Sequence, residues 1–194
     1  MDSLQQLNPN QKYTYEDYLT WTFPERVELF WGKVVKMSPA PNRRHQDITG
    51  EIFFALKLFL KDKSGQVFVA PFDVRLPLPS DRQTDEKIST VVQPDITVVC
   101  DEKKLDKQGC NGVPDIVVEV LSPGNTKKEM KGKLKIYESA GIPEYWLVDP
   151  ERAFALIYAL NSKGKYVGST PFTDEDVLTS DVLKGFELSM DIIF

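Results

Sequence analysis

Glu119 stands inside the run Val117-Val118-Glu119-Val120-Leu121, where every neighbour is apolar. Such a run reads as a buried strand. An ionised carboxylate there costs several kcal/mol unless something compensates it. A second acid, Asp95, opens another apolar run, Ile96 to Val99, directly after Pro94. If the two strands are neighbours, both carboxylates can converge at one edge of a sheet. Acids forced together repel, so one takes up a proton or both bind a cation. Oxygen ligands suit Mg²⁺, which keeps most of its waters and takes one or two carboxylates. The alternative is a fork of acids holding an arginine or lysine.

Lys133 bears on that choice. The segment from 127 to 140 is predicted helical, with Thr126 and Glu129 as a capping box and Gly141 and Pro143 ending it. At about 100° per residue, Met130, Leu134, Tyr137 and Gly141 form the inner face. Lys133 lies at its margin, beside Tyr137, and can reach along the sheet toward the strand ends. Its other use is a pair with Glu129, four residues earlier. Lys128, Lys131 and Lys135 point away from the inner face. With Lys127 they make the one strongly basic stretch, able to meet a phosphate backbone or to stay solvated.

Further acids and bases remain open. Asp115 shares strand parity with Glu119 but is expected to cap a turn. Asp73 lies in the preceding strand and is a further site candidate. Glu28 sits among apolar residues in "RVELFWGKVVKMSP" and also needs compensation. His45, the single histidine, begins a helix, where it is a structural hydrogen-bonder or a catalyst. Other chemistries find less support. There is no Gly-x-Gly-x-x-Gly and no phosphate loop. No Gly-x-Ser-x-Gly elbow appears, and one distant histidine does not support a serine triad at Ser122.

The elements that must position these groups follow from pattern. Thr14 caps a short helix over 14–22. Residues 26–39 read as a hairpin about Gly32. Ile48, Ile52, Phe53, Leu56, Phe59 and Leu60 form one helical stripe within 43–62. Residues 67–76 read as a strand interrupted or bent at Pro71. Residues 80–90 are polar and loop-like, and strands follow at about 95–100 and 114–121. After the second helix comes the buried strand 144–149, then edge strands or a hairpin. The order is helix, three strands, helix, strand: an α/β (α+β) mixed sheet with helices packed on it, plus an N-terminal helix and hairpin and C-terminal strands.

The chain has 194 residues, enough for one domain over 1–194 with a core at about 43–150. The net charge of −5 argues against a protein that coats nucleic acid, though not against a local basic patch. Two cysteines and no basic-then-apolar leader lead us to expect a cytoplasmic protein. No apolar run is long enough for a bilayer.

Together "ELFWGKVVKMSPAP", "RHQ", "VQPDITVV", "DIVVEVLSP", "KLKIY" and "AGIPEYWLVDP" resemble the Uma2 family of endonucleases, abundant in cyanobacteria and long catalogued as a domain of unknown function. The resemblance runs from about residue 14 to 160, with the motifs in order. It implies a restriction-endonuclease-like fold of the PD-(D/E)xK superfamily. Asp95 matches the first acid and Glu119 the second. Leu121 occupies the lysine position, and Lys133 matches the family lysine on the following helix. Glu28 and His45 match further positions typical of the family. Pro114-Asp115 is not the motif's pair, because Asp115 shares a strand with Glu119.

The resemblance implies an endonuclease that cleaves DNA with Mg²⁺ or Mn²⁺. Asp95, Glu119 and the Val120 carbonyl would hold the metal. Lys133 would orient water or bind phosphate, and Lys127, Lys128 and Lys131 would touch the DNA backbone. The alternative is an inactive nucleic-acid-binding or regulatory relative. A third reading is an interaction protein, a homodimer, whose acids are structural.

Overall fold

Thr14 opens helix α1 (Tyr15–Leu19) through a reciprocal capping box with Asp17. Strands β1 (Val27–Phe30) and β2 (Lys33–Lys36) then form a hairpin. Trp31 and Gly32 turn it with φ of 51° and 80°, the two positive values that match strand twist in a two-residue loop. Asn42 caps helix α2 (Arg43–Leu60), whose buried stripe runs through Ile48, Ile52, Leu56 and Leu60. Next come β3 (Gln66–Val69), β4 (Asp73–Arg75), β5 (Val91–Val92), β6 (Ile96–Val99), β7 (Leu105–Asp106), β8 (Gly109–Asn111) and β9 (Ile116–Val120). Helix α3 (Lys127–Ala140) leads to β10 (Glu144–Asp149), β11 (Phe154–Leu160), β12 (Tyr166–Gly168), β13 (Val177–Thr179) and β14 (Glu187–Ser189).

This computed structural model describes residues 2–37, 40–79 and 88–194. The stretch expected to be a loop at 80–90 therefore lies mostly outside the described residues. No helix among the described residues is long and apolar enough to cross a membrane.

The strands form two six-stranded sheets and one two-stranded pair, β13–β14. The first sheet runs β2-β1-β5-β4-β8-β7, and the second runs β12-β11-β10-β9-β6-β3. In the second, β3, β6 and β9 are antiparallel, while β9 and β10 are parallel. A parallel pair needs a crossover, and α3 supplies it. Thus α2, β3, β6, β9, α3 and β10 give the expected order of helix, three strands, helix, strand.

Of the two readings of residues 67–76, the interrupted strand holds and the bent one does not: β3 belongs to the second sheet and β4 to the first. The chain changes sheets at Pro71, where a ring cannot donate to a ladder. The capping box of α3 is only half made. Thr126 accepts from the Glu129 N–H, but the Glu129 side chain turns to Asn125. At the other end Gly141, at φ 84°, closes the helix as expected.

Alternation sorts the core. Ile116, Val118 and Val120 pack with α2, Ile96, Val98 and Trp146 on one side of the second sheet. Val117, Val99, Tyr145 and Leu147 pack on the other, against Ile136 and Tyr137 of α3 and Phe30, Val74 and Val92 of the first sheet. Each such side chain, fully buried, contributes about 1.5–3 kcal/mol.

Candidate active site

Side chains alternate along a strand, so parity places the acids. Glu119 shares a face with Val117, and Asp95 shares one with Thr97 and Val99. Both faces look toward α3. β6 and β9 pair Ile96 with Val118, and continuing that register sets Asp95 opposite Glu119. The Val120 N–H donates to Asp95 Oδ2 at 2.8 Å, which locks the two strand ends together.

Parity also aims Glu28. It lies on β1 with Phe30, which packs toward α3, while Leu29 faces a separate N-terminal cluster. Glu28 is 2% exposed. On α3, Lys133 and Tyr137 are one turn apart on a single buried face. Lys133 Nζ lies 2.8 Å from Glu119 Oε1 and 3.2 Å from Glu28 Oε1. The Tyr137 hydroxyl donates to the same Glu119 oxygen. Lys133 therefore bridges the two sheets and does not pair with Glu129. A fork of acids does hold a lysine, as one reading of the sequence had it, but Asp95 stands outside that fork.

His45, at the start of α2, places Nε2 3.3 Å from Asp95 Oδ2 and Nδ1 3.3 Å from Thr49 Oγ1. These groups line a cavity of about 300 Å³ between the sheets, with Arg26, Gln93 and Leu121 also in its walls.

The charges respond to this enclosure. Burial pushes the Glu119 carboxyl up to about 7, with Lys133 opposing and Asp95 and Glu28 adding to the rise. Burial opposes the charged form of Lys133, but Glu119 and Glu28 outweigh it and hold the ammonium. Tyr137 is pushed well up, by burial first and then by Glu119. Burial disfavours the His45 imidazolium. Asp95 and the Val120 carbonyl more than offset this, and His45 titrates above its ordinary value.

Among the described residues, no three His, Cys, Asp or Glu side chains form a ready metal cluster. The donor chemistry nonetheless fits a hard cation. Asp95 Oδ1 and Glu119 Oε2 accept no hydrogen bond from a described residue. Two carboxylates and a carbonyl leave room for several waters, the ligand set that Mg²⁺ takes.

Of the sequence candidates, the structure brings together Glu28, His45, Asp95, Glu119, Val120 and Lys133. Asp73 does not line the cavity. It lies on β4, half-buried, held by the Gln93 side chain at 2.7 Å and the Tyr18 hydroxyl at 3.3 Å. Lys127, Lys128 and Lys131 are exposed on the first turns of α3, outside the cavity lining. Asp115 is not the turn cap expected: its side chain accepts from the Cys100 N–H at 2.7 Å and ties the start of β9 to the end of β6. Sequence reasoning missed Arg26, Gln93 and the hydrogen bond from Tyr137. Only Tyr137 left a signal, its place beside Lys133 on the inner face.

A family model described as "Putative restriction endonuclease" matches residues 15–191. The chain belongs to the Uma2 family. Five solved chains are similar to this Uma2 protein. One is a structure titled as "a putative nuclease belonging to DUF820 from Anabaena variabilis ATCC 29413". It aligns with a TM-score of 0.71 at 18% identity, covering 93% of this chain and 97% of that one. At that identity the likeness establishes the shared fold. No curated protein matches the chain.

Proposed function

We propose that this Uma2 protein is a Mg²⁺-dependent endonuclease acting on DNA. The observation that carries the reading is the meeting of Asp95 and Glu119, from adjacent strands, with the Lys133 amine 2.8 Å from Glu119. Asp95, Glu119 and the Val120 carbonyl would hold the cation, with Mn²⁺ as a substitute. A divalent cation in such a place supplies an activated water and offsets charge on the scissile phosphate.

The chain's own groups do the rest. Lys133 substitutes for the strand lysine that Leu121 displaces, and donates to the water or the phosphate as a point charge. Glu28 keeps that amine charged and aimed when Glu119 turns toward a cation. The Tyr137 hydroxyl fixes Glu119 Oε1, so Oε2 is the oxygen presented to the cavity. His45 and the Val120 N–H fix Asp95 Oδ2 in the same way. Lys127, Lys128 and Lys131 add weak contacts to the nucleic-acid backbone.

The test is cleavage of plasmid and single-stranded DNA with Mg²⁺, Mn²⁺ or chelator, wild type beside Asp95→Ala. The wild type should cut only with metal, and the variant should not cut. Equal cleavage by both proteins overturns the reading. DNA bound without metal and left intact by the wild type supports the inactive, nucleic-acid-binding alternative.

A further inference from the structure

The cavity that would receive a polyanion is walled by acids: Glu28, Asp95, Glu119 and Glu129. Lys133 shares its charge between two of them. Arg26 is different. It is exposed, lines the same cavity, and forms no ion pair among the described residues. Among the described residues its one side-chain hydrogen bond runs from Nη2 to Gln93 Oε1, at 2.7 Å.

The orientation of Gln93 is not free. Its Nε2 donates to Asp73 Oδ1 at 2.7 Å and to the Tyr18 hydroxyl at 3.2 Å. A flipped amide would set its oxygen against the Asp73 carboxylate and its NH₂ against the guanidinium. The oxygen must therefore face Arg26. A carboxylate in that place would aim the guanidinium and also cancel its charge. An amide oxygen aims it and leaves the charge intact. The N–H groups of Arg26 that remain open form the planar fork that matches a phosphate. The Gln93 backbone N–H meanwhile donates to Glu28 Oε1 at 2.8 Å, so one residue sets both Arg26 and the acid that clasps Lys133.

We infer that Arg26 binds a phosphate of the nucleic-acid backbone next to the one at Asp95 and Glu119, and that Gln93 is its positioning residue. The inference rests on the nuclease reading.

The experiment is binding of a labelled DNA duplex to the Asp95→Ala protein in Mg²⁺, measured from about 50 to 200 mM salt. Adding Arg26→Ala should weaken binding about tenfold and flatten the slope of log affinity against log salt by about 0.9, the share of one phosphate contact. Arg26→Lys, which keeps the charge, should retain the slope. Gln93→Glu should flatten it as Arg26→Ala does, and Arg26→Ala added to Gln93→Glu should change it no further. Binding by the Asp95→Ala parent with no change on Arg26→Ala overturns this inference alone. A slope unchanged by Gln93→Glu removes Gln93 from it. If the parent alone fails to bind, the same series is read in the wild-type background with Ca²⁺ in place of Mg²⁺; failure of both backgrounds to bind DNA overturns the nuclease reading and this inference with it.

Discussion

Lys133 Nζ lies 2.8 Å from Glu119 Oε1, joining α3 to β9, and the same nitrogen reaches Glu28 on the other sheet. One cation thus compensates two acids that strand parity drives inward. Removing one partner of a buried pair leaves an uncompensated charge, which costs about 3–5 kcal/mol. Lys133→Met should therefore destabilise the fold by that amount at pH 7, read from urea unfolding, and should abolish cleavage. Adding Glu28→Gln to Lys133→Met should recover part of the stability. A Lys133→Met protein as stable as wild type would show that the amine is not what compensates the acids.

Tyr137 tests the aim of Glu119 more gently. Tyr137→Phe keeps the ring in the core and removes one donor. A hydrogen bond to a charged group contributes about 1.5–3 kcal/mol, and Lys133 still holds the same oxygen. We expect a loss of about 1–2 kcal/mol on unfolding and a fall in kcat with KM little changed. A rise in KM at constant kcat would mean that the hydroxyl acts on substrate binding instead.

The acids and their amine could be read from the chain because local rules place them. Period two puts Asp95 and Glu119 on the α3 side of their strands, and the helical repeat puts Lys133 beside Tyr137. Glu28 could be recognised as a buried acid, but its partner could not, since the packing of β1 over α3 is long-range. Beyond the β1–β2 hairpin, the first sheet was illegible for the same reason. Val91–Val92 and Gly109–Asn111 are too short to show alternation, and nothing local says that β4 leaves the sheet of β3. Arg26 and Gln93 are single polar residues with no periodic mark. Only the fold sets them side by side.

Arg75 and Asp106 give a pH dependence with a definite sign. Arg75 is buried on β4, and its Nη2 lies 2.6 Å from Asp106 Oδ2. Burial, the largest single effect, raises the Asp106 carboxyl, but Arg75 together with the Gln108 and Gly109 N–H groups outweighs it and holds the group below the ordinary value of 3.8. A carboxyl lowered in the folded state contributes stability above its unfolded value and loses it as pH falls through the folded one. The Asp106 side chain is 39% exposed, so solvent screens the pair and reduces its worth. Asp106→Asn should cost about 1–2 kcal/mol at pH 7 and nothing once acid has protonated the wild-type carboxylate. Urea unfolding across pH 2 to 7 checks this, and a cost that persists unchanged at the acid end refutes it.

The claim on which the rest depends is that Asp95 and Glu119 hold one divalent cation together. Calorimetric titration of Mn²⁺ into wild type, Asp95→Asn and Glu119→Gln tests it without relying on a substrate. One site per chain in the wild type, weakened at least tenfold by either substitution, is the expected result. Equal Mn²⁺ binding by all three proteins, or none by the wild type, would contradict it.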